Sequence, residues 1–253
     1  MLGSLEGKNI IITGASSGIG KACAVECSKA GAQVHLIARN LDKLNEVSAM
    51  LGDSVHTVNS FDVTHSEGIE PLVKSIVDTH GKIDGFIHSA GIQITVPVRA
   101  STRDSYVSLY SVNNVAAYEF ARSISRNKIK SSRGASIVFI SSMMSIVANP
   151  GLAAYCSSKA ALLGAARSLA LELAKQKIRV NCVSPGFMSD SKMMRDDLQG
   201  SLSQSEIDEL KKGYPLGLGE TIDVAKMCVY LLSDDAKWIT GQNIVIDGGY
   251  SAR

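Results

Sequence analysis

The sequence predicts an α/β fold in which one parallel sheet is covered by helices on both faces. Short runs of apolar, often β-branched residues alternate with longer stretches of helical periodicity along the 253-residue chain. The first run is apolar throughout, as expected for a parallel strand that is buried on both sides. Hydrophobic residues make up 45% of the chain and charged residues 20%, which is the composition of a globular protein with a sizeable core.

Seven short runs are expected to form the strands. The first is NIIIT at residues 9–13, directly before a glycine-rich turn. The others span residues 33–38, 55–61, 85–89, 137–141, 179–184 and 243–246. Right-handed crossovers between such strands give a doubly wound, Rossmann-type parallel sheet.

Helical stretches fill the intervals between these strands. They span residues 18–30, 41–51, 69–80, 103–128, 155–175, 205–212 and 222–232. Gly31 follows the first stretch and is a plausible helix stop. We expect 103–128 to form one continuous long helix.

No linker divides the chain, so we expect residues 1–253 to form a single domain. The alternation is interrupted at 187–219, a polar, methionine-containing stretch between the sixth strand and the helix before the last strand. Long connections in compact domains are usually lids or binding loops. We therefore expect 187–219 to be a substrate-binding lid, with a disordered insert as the alternative.

Charge and composition argue against several classes of protein. Lys+Arg 26 against Asp+Glu 24 gives a net charge of +2, too small for a nucleic-acid-binding surface. No apolar stretch is long enough to span a membrane, and the first residues do not resemble a secretory signal. The cysteines at 23, 27, 156, 182 and 228 lack zinc-ligand spacing, so we expect no metal, reduced thiols and a cytoplasmic location.

The turn after the first strand, TGASSGIG at 13–20, predicts a dinucleotide site. Glycines between a strand and a helix allow a tight turn and close approach of the backbone to a pyrophosphate. The N–H groups at the start of the following helix then point at the phosphates. The expected contacts are Gly14, Ser16, Ser17, Gly18, Ile19 and Gly20. A purely structural turn is the alternative.

The end of the second strand indicates which dinucleotide is bound. Where an NAD site needs an Asp or Glu for the ribose 2′-hydroxyl, this chain has Ala38 followed by Arg39. A guanidinium can pair with a 2′-phosphate, so we expect NADP(H) to be preferred over NAD(H). The alternative is that Arg39 is an ordinary solvated charge. Asp62, after the third strand, is a candidate contact near the adenine or a cap of the next turn.

Further motifs follow at later strand and helix ends. They are Ser89-Ala90-Gly91, Asn113, Ser142, Tyr155 with Lys159, Pro185-Gly186 and IDGGY at 246–250. In this order, together with the glycine-rich turn, the set resembles the short-chain dehydrogenase/reductase family over essentially the whole chain. The resemblance implies an NADP-dependent oxidoreductase that transfers a hydride between NADPH and a ketone or secondary alcohol.

Tyr155 and Lys159 lie four residues apart near the start of a helix and therefore share one face. A phenol with a pKa near 10 is a poor base at neutral pH. A cation about 4 Å away at an effective dielectric of about 20 would lower this pKa by about 3 units. We therefore expect Tyr155 to act as a general acid/base with a lowered pKa.

The resemblance implies a role for four residues. Tyr155 protonates the carbonyl oxygen as the hydride arrives, and Ser142 hydrogen-bonds that oxygen. Lys159 also holds the nicotinamide ribose, and Asn113 completes a proton relay to solvent, with Asn114 as the alternative. The remaining cofactor contacts implied by the resemblance are Asp62, Val63, Ser89, Ala90, Gly91, Pro185, Gly186 and Met188.

Several positions depart from the family's pattern. Ser89 stands where Asn is usual, so we expect the hydrogen bonds that bridge the sheet there to be lost or water-mediated. We expect the preceding His88 to be a satisfied, partly buried histidine rather than a catalyst. Ser189 is the candidate replacement for a Thr that contacts the nicotinamide carboxamide. Ser17 stands where NADP-dependent members often have Lys or Arg, which weighs against NADP.

The sequence leaves the substrate open. The chain resembles 3-oxoacyl-acyl-carrier-protein reductase-like members, so a 3-oxoacyl thioester, which an acyl carrier protein could carry, is the first expectation. A sugar, polyol, steroid or other ketone is the alternative, and a silent NADPH-binding sensor is an alternative of another class. The basic run Arg122, Arg126, Lys128, Lys130 and Arg133 fits an acidic carrier protein or a solvated face.

Small residues recur on the helix after Tyr155. Ala160, Gly164 and Ser168 lie on one stripe, and Ala161 and Ala165 lie on the next. Such stripes allow another helix to approach closely. The plain interpretation is packing on the sheet. The resemblance implies a homodimer or homotetramer built on such helices, and we expect a homotetramer.

Overall fold

A computed structural model of the protein describes residues 3–52, 56–191 and 203–252. Within these residues the strands are β1 (Asn9–Thr13), β2 (Gln33–Ala38), β3 (Thr57–Ser60), β4 (Gly85–His88), β5 (Ala135–Ile140), β6 (Ile178–Pro185) and β7 (Asn243–Ile246). They form one sheet in the order β3-β2-β1-β4-β5-β6-β7. Every neighbouring pair is parallel, which confirms the expected doubly wound fold class.

The α-helices lie close to the expected positions. They are α1 (Gly18–Lys29), α2 (Leu41–Ser48), α3 (Ser66–His80), α4 (Arg103–Tyr110), α5 (Ala116–Ile124), α6 (Ala153–Leu173), α7 (Gln204–Lys212) and α8 (Thr221–Leu232). The described part of the chain contains no helix that is long and apolar enough to cross a membrane.

Two apolar layers hold the helices on the sheet. Successive residues of a strand point to opposite faces. Ile11 therefore packs with α3, α5 and α6, whereas Ile10 and Ile12 pack with α1, α2 and α8. Both faces of the central strands are covered, which explains why their sequences are apolar throughout.

The expectation of one continuous helix over 103–128 is wrong, because the structure interrupts this helix. α4 ends at Tyr110, a π-helical turn spans Ser111–Val115, and α5 begins at Ala116. The side chain of Asn113 is completely buried in this turn and bonds to the backbone of Ile92 on both sides of its carboxamide. A buried carboxamide that must be satisfied by a neighbouring loop gives a physical reason for the wider turn, and such turns often occur at functional sites.

The strand order reverses between β1 and β4. In open parallel sheets this position leaves a crevice at the carboxyl ends of the strands, where ligands bind. The glycine-rich turn follows β1 at this point, and Ser89-Ala90-Gly91 follows β4. The fold therefore brings the glycine-rich turn and Ser89-Ala90-Gly91 together at one edge of the sheet.

The expected lid at 187–219 is closed at its base by backbone hydrogen bonds. The Ser189 N–H donates to the Gly219 carbonyl at 2.8 Å, and the Gly219 N–H donates to the Phe187 carbonyl at 3.2 Å. Helix α7 lies within the segment. Residues 192–202 of the expected lid lie outside the described residues, so its role stays a prediction.

Candidate functional site

The glycine-rich turn forms a cradle between β1 and α1. Gly14 has a φ of +67°, and a Cβ there would lie 2.7 Å from the Ala90 nitrogen. A Cβ on Gly20 would overlap the Gly14 carbonyl oxygen, so both positions require glycine. Ser16, Ser17, Gly18 and Ile19 stay partly or fully accessible around the start of α1. The first turn of α1 holds no acidic residue that would oppose an anion at the positive end of this helix, so the cradle fits a pyrophosphate.

Arg39 lies directly after β2 and is exposed. Asp62 lies nearby, and its carboxylate accepts hydrogen bonds from the Thr64 N–H at 2.9 Å and the Thr64 hydroxyl at 2.8 Å. The Thr64 backbone bond lowers the pKa of Asp62 most, and the Arg39 guanidinium adds to the effect. Asp62 thus caps the turn after β3, which was the alternative to a contact near the adenine. The side chain of Val63 lies in the core, so only its backbone is available to a cofactor.

Ser142, Tyr155 and Lys159 come together at the carboxyl end of β5. Ser142 follows the strand, and its hydroxyl accepts from the Met144 N–H at 3.1 Å. The same side chain is close enough to the phenol of Tyr155 on α6 to oppose the rise of its pKa. The neighbouring Ser141 instead donates its hydroxyl to the Lys159 backbone carbonyl at 2.8 Å. This difference separates the two serines, because the Ser141 hydroxyl is bound to the Lys159 backbone, whereas Ser142 acts on the pKa of the Tyr155 phenol.

The expectation of a lowered Tyr155 pKa is wrong for this structure. Tyr155 is 7% exposed, and burial raises the pKa of its phenol, although Ser142 opposes this shift. The Lys159 ammonium lies 5.8 Å from the centre of the Tyr155 ring and donates to the Ile140 carbonyl at 2.9 Å. Burial also lowers the pKa of Lys159 to about 8. Desolvation therefore dominates both groups.

Asn113, rather than Asn114, faces this group. Its carboxamide accepts from the Ile92 N–H at 2.9 Å and donates to the Ser158 hydroxyl at 3.0 Å. A Cβ on Gly91 would lie 3.4 Å from the Asn113 Oδ1 and 3.3 Å from the Lys159 Nζ. Asn114 instead donates to the Ser158 backbone carbonyl at 2.9 Å. The structure therefore brings Gly91, Asn113 and Lys159 together as the motifs suggested.

The segment after β6 approaches the crevice from the other side. Pro185 ends the strand and is buried, and the Gly186 N–H bonds to the end of β7. The Met188 side chain is also buried and packs against Gly219. Ser189 already donates its hydroxyl to the Gly219 carbonyl at 3.1 Å. This hydroxyl therefore stabilises the base of the expected lid.

Tyr155 belongs to an apolar cluster that spacing along the sequence does not predict. Its other buried members are Leu109, Met143, Met144, Leu152 and Tyr214. Tyr214 packs on Tyr250 with ring centroids 4.8 Å apart, and its hydroxyl donates to the Met143 sulfur at 3.5 Å. These residues come from distant segments of the chain. The methionines after Ser142 were the one local signal for apolar surface at this position.

Comparisons with known proteins agree with this geometry. A family model described as Enoyl-(Acyl carrier protein) reductase matches residues 14–251. The chain belongs to the short-chain dehydrogenase/reductase family. It is 33% identical over 246 residues to the 3-oxoacyl-[acyl-carrier-protein] reductase FabG of Haemophilus influenzae, covering 97% of this chain and 98% of that protein.

Two further family members resemble the whole chain. The NADP-dependent (R)-specific alcohol dehydrogenase of Lentilactobacillus kefiri is 34% identical, with 100% of both chains covered. The structure of L-sorbose reductase from Gluconobacter frateurii, complexed with NADPH and L-sorbose, superposes with a TM-score of 0.92 at 26% identity over 100% of both chains. The protein is accordingly an oxidoreductase that acts on CH–OH and C=O groups and binds a nicotinamide cofactor.

The basic run of this family member is largely engaged in ion pairs. Arg122 binds Glu119, Arg126 binds Glu70, and Arg133 binds Asp84 at 3.0 Å. The run ends at the amino-terminal edge of the sheet, where Arg133 also donates to the Gly7 carbonyl. Within a single chain, this edge is opposite to the carboxyl edge of the sheet, where Tyr155 lies. The ion pairs favour the solvated-face alternative for these arginines.

The small residues of α6 do not pack on the sheet, so the plain interpretation of this stripe is wrong. Ala160, Ala161, Gly164 and Ser168 are exposed, whereas Ala165 is half-buried. The sheet-facing positions of the helix hold Leu162, Ala166, Leu169 and Leu173 instead. A cleft of about 280 Å³ lies between α5 and α6, and its lining includes Val115, Tyr118, Ala161 and Ala165.

Proposed function

We propose that this family member is an NADP(H)-dependent reductase of ketones, with a 3-oxoacyl thioester as the first candidate substrate. The observation that carries the proposal is that Ser142, Tyr155 and Lys159 are buried together at the same sheet edge as the glycine cradle, with the Lys159 ammonium 5.8 Å from the centre of the Tyr155 ring. The similarity to the 3-oxoacyl-[acyl-carrier-protein] reductases supports the thioester.

The proposed mechanism assigns proton donation to Tyr155. NADPH supplies the hydride when it is bound. Because burial raises its pKa, the Tyr155 phenol is protonated at neutral pH and can donate its proton to the carbonyl oxygen of a ketone. The Ser142 hydroxyl orients the same oxygen and stabilises the negative charge that develops on it. The resulting tyrosinate regains its proton from the side of Lys159 and Asn113, which flank Gly91.

The preference for NADP(H) rests on Arg39. Its position after β2, its exposure and the absence of an acidic residue at Ala38 leave a guanidinium available to a 2′-phosphate. The names of the NADP-dependent alcohol dehydrogenase and of the NADPH-complexed sorbose reductase point to the same cofactor. We expect contacts from Gly14, Ser16, Ser17, Gly18, Ile19 and Gly20 to the phosphates.

The apolar cluster around Tyr155 favours an acyl or other apolar ketone over a sugar or polyol. Leu109, Met143 and Tyr214 present side chains without charge next to the reacting phenol. Methionine side chains also adapt to ligands of varied shape. L-sorbose, the ligand of one similar structure, marks the polyol alternative. A steroid remains a further alternative of the apolar kind.

We also propose that the protein is a homotetramer or homodimer that works in the cytoplasm. The exposed small residues of α6 and the apolar cleft beside α5 support close packing of a second copy. The cysteines are all free thiols in the described structure, which suits a reducing compartment. An acyl carrier protein is the candidate partner that would present a thioester, as the names of the similar reductases suggest.

The test is NADPH consumption with a short 3-oxoacyl thioester, with NADH measured in parallel. We expect NADPH-selective turnover by the wild type. Tyr155→Phe removes only the phenolic oxygen, so turnover should fall by about 10²- to 10⁴-fold while NADPH affinity changes less than about twofold. A silent NADPH sensor would bind NADPH, turn over no ketone and be indifferent to Tyr155→Phe. That result would overturn the proposed enzyme.

A further inference from the structure

His88 is the last residue of β4, and its side chain is completely buried where the strand order reverses. Each ring nitrogen has one partner. Nδ1 lies 3.0 Å from the Thr13 hydroxyl, and Nε2 lies 3.1 Å from the Val112 carbonyl oxygen. Because a carbonyl can only accept, Nε2 carries a hydrogen, and in a neutral ring Nδ1 then accepts from the Thr13 hydroxyl. The two contacts therefore fix one neutral tautomer.

The Thr13 contact leads to the cofactor cradle. Thr13 directly precedes Gly14, and its hydroxyl oxygen also accepts from the Ala90 N–H at 3.3 Å. Ala90 is the residue against which Gly14 packs without room for a side chain. The Thr13 hydroxyl thus joins the end of β1, the first glycine of the turn and the loop after β4.

The Val112 contact leads to the catalytic group. Val112 lies in the π-helical turn and directly precedes Asn113, whose carboxamide faces Gly91. Carbonyl groups within a π-helical turn are displaced from the regular α-helical pattern and need other donors. The His88 N–H is such a donor, and it comes from the adjacent strand rather than from the helix.

We propose that His88 is a positioning residue, a neutral imidazole that holds the nucleotide-binding turn and the Asn113 turn in register across β1, β4 and the α4–α5 junction. Its kinetic consequences rest on the proposed reductase function, but its two structural contacts do not. Phe86 lies beside the ring with ring centroids 6.1 Å apart, and the charge of the Lys159 ammonium on α6 acts on the ring. Burial, with a smaller effect of that ammonium, lowers the pKa of His88 to about 3, which keeps the ring neutral.

Two isosteric substitutions separate the two contacts. His88→Asn keeps a polar atom near the position of Nδ1, within reach of Thr13, but does not reach Val112. His88→Gln places an amide nitrogen near the position of Nε2, within reach of Val112, but has no acceptor near Nδ1. A residue that only filled space in the core would respond to both substitutions in the same way.

We expect opposite effects from these two variants. His88→Asn should lower kcat about tenfold, the effect of one lost hydrogen bond, and change the NADPH dissociation constant less than about twofold. It should also speed deuterium exchange of the amides of Ser111–Val115. His88→Gln should weaken NADPH binding about tenfold and leave kcat and this exchange within about twofold. Thr13→Val replaces the hydroxyl by a methyl group and so removes its contacts with both His88 and the Ala90 N–H, and it should weaken NADPH binding at least as much as His88→Gln does.

His35→Asn and His35→Gln are the matched controls. His35 is also a completely buried strand histidine with a pKa lowered to about 3, and it bonds to the Thr57 hydroxyl at 2.9 Å. It lies on β2 beside His80 of α3, away from Thr13 and Asn113. These controls should lower thermal stability without separating kcat from NADPH affinity.

The outcome remains informative if the wild type reduces no ketone. That result would overturn the proposed function, but NADPH titration and deuterium exchange would still test the two contacts. The role of His88 would be overturned if His88→Asn and His88→Gln changed NADPH affinity and the deuterium exchange of Ser111–Val115 equally. It would also be overturned if neither variant changed either property. Thr13→Val decides the cofactor contact if a His88 variant fails to fold, since wild-type NADPH affinity in it would contradict the proposal.

Discussion

The buried ammonium of Lys159 gives the site a titration near neutral pH. Burial lowers its pKa to about 8, and its nearest acceptor is the Ile140 carbonyl. Below pH 8 the side chain is charged and can hold a ribose hydroxyl and return a proton towards Tyr155. Above pH 8 it loses that proton, so the reduction should slow as the pH rises.

The pH dependence of kcat/KM for NADPH tests this, because it reports groups of the free enzyme. We expect a plateau up to pH 7 and a decrease centred near pH 8, the pKa of Lys159. Lys159→Arg keeps its charge through this range, so the activity that this variant retains should not show the decrease. A wild-type profile that stays flat to pH 9.5 would contradict the assignment.

Arg39 should decide the choice between the two nicotinamide cofactors. Arg39 directly follows β2, and its charge is one of the smaller influences that lower the pKa of the Asp62 carboxylate. Arg39→Ala should weaken NADPH binding about tenfold and NADH binding less than about twofold, because only NADPH carries the 2′-phosphate. Fluorescence titration with each cofactor measures both effects. Lys43→Ala, an exposed cation on α2, is the control and should change neither. Equal losses for both cofactors in Arg39→Ala would refute this role.

At the scale of elements, α5 and α6 present an unfilled apolar surface. Val115 at the end of the π-helical turn and Tyr118 on α5 are 47% and 51% exposed, and they border the cleft beside Ala161 and Ala165. An assembly through this face would cover these side chains and bring two α6 helices close together, since Gly164 and Ala160 add no bulk. The face is continuous with the site, because α6 also carries Tyr155 and Lys159.

Ala161→Glu should shift the protein to a smaller oligomer. The substitution places a carboxylate in the apolar cleft, where a second copy would have to bury it without a partner. Sedimentation velocity at several protein concentrations measures the change. Asn45→Glu adds the same charge on the exposed face of α2 and should leave the oligomer intact. Wild-type protein that sediments as a monomer at all concentrations would rule out the proposed assembly.

At the scale of the whole molecule, two histidines make stability depend on pH. His35 and His88 are both buried, and desolvation lowers the pKa of each to about 3. An unfolded chain binds these protons near pH 6.5, so between pH 6.5 and pH 3 it holds more protons than the folded chain. The free energy of unfolding should therefore decrease as the pH falls, by up to about 1.4 kcal/mol per pH unit for each histidine.

His35→Gln should remove one of these two contributions. Urea unfolding between pH 7 and pH 4 should show that the free energy of unfolding decreases less steeply with falling pH in this variant than in the wild type. The difference between the two slopes should correspond to at most about one bound proton. The carboxylates contribute equally to the pH dependence of both proteins, so their contribution cancels when the two slopes are compared. Parallel slopes would mean that His35 is protonated in the folded state as readily as in the unfolded one.

The sequence alone predicted the fold class and the family, and both are confirmed. The fold class follows from local spacing, namely apolar runs with the length of strands and glycines between a strand and a helix. The family follows from the resemblance of the whole set of motifs, which includes Tyr155 four residues before Lys159. The place of the cofactor stays a prediction. The ends of most strands and helices followed from the same patterns within a few residues.

Only the tertiary structure decided what depends on contacts between distant segments. The π-helical turn at Ser111–Val115 exists beside a loop that satisfies Asn113, and the pKa of Tyr155 rises because apolar residues from separate segments bury it. The sequence marked His88 only as a satisfied histidine, whereas the structure supplies both of its partners. Burial and long-range hydrogen bonding are properties of the folded chain, and spacing along the sequence cannot express them.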